Sequence, residues 1–97
     1  NATKAWAFVT VAAGVPTLAD SFNVASVTDT AVGQLTLTWD RDFANATYVM
    51  TATADAVSRL LIGNSRGAGS AVVQSLNSTT GADQDPDAYS VQAIGDQ

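Results

Sequence analysis

No cysteine, histidine or glutamate occurs in these 97 residues, and the only lysine is Lys4. Without cysteine there can be no disulfide to staple a small fold, and no zinc-finger pattern. Its absence fits a cytosolic chain as well as an exported one, so the compartment stays open. Without histidine the Ser-His-Asp and Cys-His nucleophile arrangements are excluded. The side chain that most often shuttles protons near neutrality or ligates a metal is missing too. No apolar run approaches the ~18–20 residues of a membrane helix, and nothing resembles a signal peptide, so no membrane insertion is expected. The net charge of −5 comes from aspartate alone. Nucleic acid needs clustered Lys and Arg against its phosphates, so it is not an expected partner.

What remains is rich in Val, Thr, Ala and Ser, with Asp and Gly as punctuation. Val and Thr favour strands, whereas Asp favours caps and turns. Alternation and turn residues predict an all-β domain spanning residues 1–97. Its seven strands fall near Ala5–Val11, Ser21–Thr28, Gln34–Asp40, Thr47–Ala54, Arg59–Ile62, Ala71–Leu76 and Ala88–Ile94. Strands this short and this regularly interrupted suggest a small antiparallel β-sandwich. Ala54–Leu61 also suits a short helical turn. A chain of this size buries only about 60–65% of the surface it exposes when unfolded. Oligomerisation is a usual source of further stability for such domains.

Side-chain alternation indicates which faces are wet. Leu35, Leu37 and Trp39 share one face of their strand, opposite Gln34, Thr36 and Thr38. In the first strand Trp6 and Phe8 share a face, yet Ala5, Ala7 and Val9 leave the other apolar as well. A strand apolar on both faces must be covered twice. Trp6, Phe8, Phe22, Trp39 and Tyr48 are therefore expected in the core. Ala5, Ala7, Val9 and, on the last strand, Ile94 are expected against a neighbouring subunit.

Chemistry-bearing motifs are few. Asp83, Asp85 and Asp87 alternate as at the start of a calcium loop. The glycine and the bidentate acid that such a loop needs at its sixth and twelfth positions are here Ala88 and Ile94, so the EF-hand pattern fails. A solvated acidic turn is the plainer reading, and no metal or other cofactor is expected. The pairs Asp40/Asp42 and Asp85/Asp87 could in principle serve a glycosidase, but neighbouring loop aspartates are more often turn formers, so catalysis is not expected. Gly63–Gly69 is glycine-rich and holds Arg66, but lacks the Lys-Ser/Thr of a phosphate loop. It reads as a flexible inter-strand loop. Binding residues tend to sit on loops. Asn64, Ser65 and Arg66, Thr79, Thr80, Asp83 and Asp85, and Phe43 as a stacking platform are thus the candidate receptor contacts. Asn1-Ala2-Thr3, Asn45-Ala46-Thr47 and Asn77-Ser78-Thr79 are glycosylation sequons that chance and turn preference also explain.

The run Lys4-Ala5-Trp6-Ala7-Phe8, then Asp20-Ser21-Phe22-Asn23-Val24-Ala25-Ser26-Val27-Thr28-Asp29, a Gly33 turn and Gln34-Leu35-Thr36-Leu37-Thr38-Trp39 resembles the C-terminal tip domain of bacteriophage tail fibres and related virion appendages. The resemblance continues through Phe43-Ala44-Asn45-Ala46-Thr47-Tyr48 and the closing Tyr89–Asp96. Val11–Leu18 lacks the family's Gly-Thr-Gly run, and Arg59–Gly69 has no counterpart in it. The resemblance implies a homotrimeric, non-enzymatic virion domain at the end of a longer fibre or spike. Such a domain would attach to a host-surface polysaccharide or outer-membrane protein. Two other readings are a structural module joining virion proteins and a carbohydrate-binding module of a bacterial extracellular protein.

Overall fold

The computed structural model describes residues 2–97. Eight strands form: β1 (Ala5–Ala12), β2 (Val15–Phe22), β3 (Val24–Ala31), β4 (Gln34–Trp39), β5 (Val49–Ala54), β6 (Arg59–Arg66), β7 (Ser70–Asn77) and β8 (Ala88–Ile94). They make two four-stranded antiparallel sheets, β2-β1-β8-β5 and β3-β4-β7-β6. The all-β sandwich is thus as expected. Between Ala54 and Arg59 there is a turn rather than a helix.

The eighth strand is β2, in the stretch expected to be a loop. Ala13 and Gly14 both have positive φ, +52° and +77°, so two residues reverse the chain and Ala12 pairs with Val15. Positive φ at both central positions is what a tight hairpin needs, and alanine is an unusual occupant of the first. Pro16 is tolerated because β2 is an edge strand, where an N–H can be spared.

The expected strand Ser21–Thr28 is broken at Asn23, whose φ of +59° lies in the left-handed region. This one residue carries the chain from the end of β2 in the first sheet to β3 in the second. Its side chain fixes the corner. Oδ1 accepts from the Arg41 N–H at 2.6 Å, and Nδ2 donates to the carbonyls of Lys4 and Arg41 at 3.2 Å each.

The core lies between the sheets. Leu35, Leu37, Trp39, Ala71 and Val73 come from one side, and Ala5, Ala7, Val9, Tyr89, Val91 and Ala93 from the other. Phe43 and Tyr48, from the β4–β5 connection, complete an aromatic cluster. Their rings stack at 4.1 Å, and Trp39 meets both edge-on at 5.5 and 5.9 Å. The Trp39 Nε1–H donates to the Tyr48 hydroxyl at 3.3 Å, which in turn faces the Gly67 and Ser70 carbonyls at 2.9 and 3.1 Å. Burial of Tyr48 raises its pKa above the ordinary value, against smaller lowering effects of the Trp39 bond and the Arg66 charge. Ser75 also takes a core position, and its hydroxyl has no partner among the described residues.

Two expectations about the first strand are reversed. Ala5, Ala7 and Val9 are buried inside the sandwich, so they cannot line a seam between subunits. Trp6 and Phe8 face outward at 40% and 36% exposure, and Phe22 at 55%, instead of filling the core. The physical reason is volume. The aromatic cluster of Trp39, Phe43 and Tyr48 shares one core with Ala5, Ala7 and Ala93. Small side chains on the facing sheet leave room for those three rings, and a further tryptophan and phenylalanine would overpack it.

Candidate functional site on the outer face of β1, β8 and β5

The outward turn of Trp6 and Phe8 creates a concavity of about 340 Å³ on the outer face of the first sheet. Strand pairing arranges its walls in two rows. Trp6 lies opposite Gln92, which lies opposite Thr51; Phe8 lies opposite Ser90, which lies opposite Thr53. Each row has an aromatic side chain on β1, a polar side chain on the central β8 and a threonine on β5. The groove therefore runs along the strands, with an aromatic wall, a polar floor and a hydroxyl wall. Adjacent strands lie ~4.8 Å apart, and the two rows are separated by two residues, ~6.8 Å.

Gln92 is oriented from outside the groove. The Thr3 hydroxyl donates to its Oε1 at 3.1 Å, which leaves the amide N–H₂ as its donating end. None of the lining side chains ionises near neutrality. Ile94, expected at a subunit interface, is half-buried on this same strand and pairs with Val49, which is well exposed. Phe22 sits opposite Trp6 on β2 and extends the apolar surface beyond the groove.

The loop candidates are distributed differently. Asn64, Ser65 and Arg66 belong to β6 and are exposed on an edge strand of the second sheet, not in a flexible loop. Only Gly67–Gly69 turns the chain, and that turn is pinned: the N–H groups of Trp39 and Phe43 donate to the Gly69 and Ala68 carbonyls at 3.0 and 2.8 Å. Phe43 is buried in the aromatic cluster and offers no stacking platform.

Thr79 and Thr80 are exposed in a tight turn, their N–H groups donating to Asn77 Oδ1. Asp83 accepts from Gln74 at 2.6 Å and Gln34 at 3.4 Å, while Asp85 accepts from the Gly33 N–H at 2.7 Å. These carboxylates hold the loop against the β3–β4 turn. Among the described residues no three acidic side chains form a group suited to a metal ion. Strand direction further separates the loops. The Arg41–Asn45 and Gly67–Gly69 segments share one end of the second sheet, and Ser78–Asp87 starts from the other.

Sequence reasoning missed the groove because both faces of β1 are apolar, and size suggested that the aromatics point inward. The available signal was the alternation of the partners. Thr51 and Thr53, and Ser90 and Gln92, are each spaced by two and mark a polar outer face on strands that flank one another. Compared with family models, curated proteins and solved structures, the chain matches none.

Proposed function

We propose that this chain is a non-enzymatic attachment domain of a phage fibre or spike, which holds a host-surface polysaccharide in the groove of β1, β8 and β5. The observation that carries the reading is the outward pair Trp6 and Phe8, facing Thr51 and Thr53 across a floor of Ser90 and Gln92. Exposed apolar patches with polar rims mark interaction sites. Aromatic walls with a few placed polar groups are the usual make-up of a ligand pocket. A pyranose ring matches that mixture, having an apolar C–H face and a rim of hydroxyls. A lining without ionisable groups supports retention of the ligand over its conversion. The virion setting is supported by the resemblance of Lys4–Phe8, Asp20–Asp29 and Gln34–Trp39 to fibre tips. Repetition of one weak site in a trimer would multiply its avidity.

The test is retention of the labelled domain on whole bacterial cells and on their extracted envelope polysaccharide. The double variant Trp6→Ala/Phe8→Ser is expected to lose at least tenfold in retention on both, with folding intact by circular dichroism. Undiminished retention would refute the reading. A second reading has its own observation: Phe22 lies outside the groove yet continues its apolar surface, as a face covered by another copy would. In that case the same double variant lowers the mass measured by light scattering.

A further inference from the structure

We infer that the groove selects an uncharged polysaccharide, bound as a chain lying along the strands with successive sugar rings against Trp6 and Phe8. The inference rests on the glycan-binding reading and adds the ligand's class. Carboxylated or phosphorylated sugars are recognised by the donor forks of arginine or by lysine. The groove contains neither. The charges nearest to it along the strands are Lys4, two positions before Trp6, Asp20, opposite Phe8 on β2, and Asp55, two positions after Thr53; none of them lines the groove.

The chain's other cations are placed elsewhere. Arg59 donates to the Asp85 and Val57 carbonyls, Arg41 to the Gln97 carbonyl, and Arg66 is carried by β6 of the opposite sheet. A net charge of −5 adds a repulsive field against any polyanion, strongest at low salt.

The groups that are present suit hydroxyls. Serine and threonine hydroxyls both donate and accept, as sugar hydroxyls do, and the Gln92 amide adds a fixed donor. The two rows repeat the same order of aromatic, polar side chain and threonine. A ligand that repeats along its own axis can satisfy both rows in the same way. Phe8 and Ser90 present a smaller ring and a shorter floor than Trp6 and Gln92, so the row at Trp6 is the stronger of the two.

Native affinity electrophoresis tests this, with polysaccharide cast in the gel. The neutral probes are dextran, a soluble β-glucan and galactomannan; the anionic probes are alginate, polygalacturonate and hyaluronate. The expected result is retardation by at least one neutral polymer and by no anionic one, unchanged between 20 and about 150 mM salt, the upper figure being physiological ionic strength. Trp6→Ala is expected to weaken it at least tenfold and Gln92→Ala severalfold, both variants keeping the parent's cooperative thermal unfolding.

Retardation by an anionic polymer alone, weakened by salt and lost in Trp6→Ala, would overturn the uncharged class and leave the glycan reading standing. Retardation that survives both Trp6→Ala and Gln92→Ala would overturn the groove as the site. Absence of retardation by every neutral polymer overturns the inference. If Trp6→Ala then also converts an oligomer to monomer, the glycan reading falls with it and the face belongs to a second copy.

Discussion

Asn23 combines two roles that most side chains cannot. A left-handed backbone costs an ordinary L-residue roughly 1–2 kcal/mol, and asparagine tolerates it better than most. The same side chain joins Lys4 and Arg41, which are remote in sequence, at the corner between sheets. Asn23→Gly keeps the conformation and removes the bonds, whereas Asn23→Ala loses both. Net hydrogen bonds contribute about 1 kcal/mol each, and more where a partner is left buried and unpaired. Denaturant unfolding should therefore show a loss of about 1–2 kcal/mol for Asn23→Gly, and a further loss of about 1 kcal/mol for Asn23→Ala. Equal losses would mean that backbone strain at this corner is negligible. Ser75 is the opposite case, a buried hydroxyl without a partner among the described residues, on a strand whose backbone binds Gly33 and Gln84.

At the scale of elements, the facing of β1 decides which surface carries the groove. Its inner face of Ala5, Ala7 and Val9 is set by the aromatic cluster that it must accommodate, and its outer face is left with Trp6 and Phe8. This orientation predicts an inversion of the usual size rule. Ala7→Leu adds volume to a filled core and should destabilise by about 1–3 kcal/mol. Phe8→Ser, which removes a far larger apolar side chain from an outward position, should cost less, within the ~1 kcal/mol span of strand propensity. Thermal unfolding of the two variants side by side checks the facing of the strand, and the reverse ranking would place Phe8 in the core.

Much of the sandwich was legible in the sequence. The alternation of Leu35, Leu37 and Trp39 against Thr36 and Thr38 reads directly as a half-buried strand. The hairpin at Ala13-Gly14 did not, because alanine gives no hint of positive φ and Pro16 argues against a strand. The corner at Asn23 was hidden because alternation runs nearly unbroken through it. The groove was hidden because no rule of alternation assigns a strand that is apolar on both faces. Only the volume of Trp39, Phe43 and Tyr48, brought together by tertiary structure, settles which side is in.

At the scale of the whole molecule, the absence of histidine and the burial of tyrosine set the response to pH. No lining group of the groove titrates near neutrality, and no side chain of the histidine type switches charge between about pH 5 and 8. Retention of ligand should accordingly be flat across that range. The alkaline side differs. Burial first, and then the negative charges of Asp85 and Asp29, push the Tyr89 hydroxyl from its ordinary value of 10 up to about 12. Below pH 10 the phenol is protonated in folded and unfolded chains alike, and its contribution to stability is fully present. Between about pH 10 and 12 the unfolded chain releases the proton while the folded chain retains it. The unfolded state then binds fewer protons, and stability falls as pH rises. Tyr48, raised in the same direction by burial, adds to the trend. Tyr89→Phe keeps the ring and removes the titration. Denaturant midpoints measured from pH 8 to 12 should fall less steeply above pH 10 in Tyr89→Phe than in the parent, and the two should run parallel below pH 9. Parallel curves over the whole range would show that Tyr89 ionises as readily in the folded chain as in the unfolded one, and that its surroundings near Asp29 and Asp85 admit water.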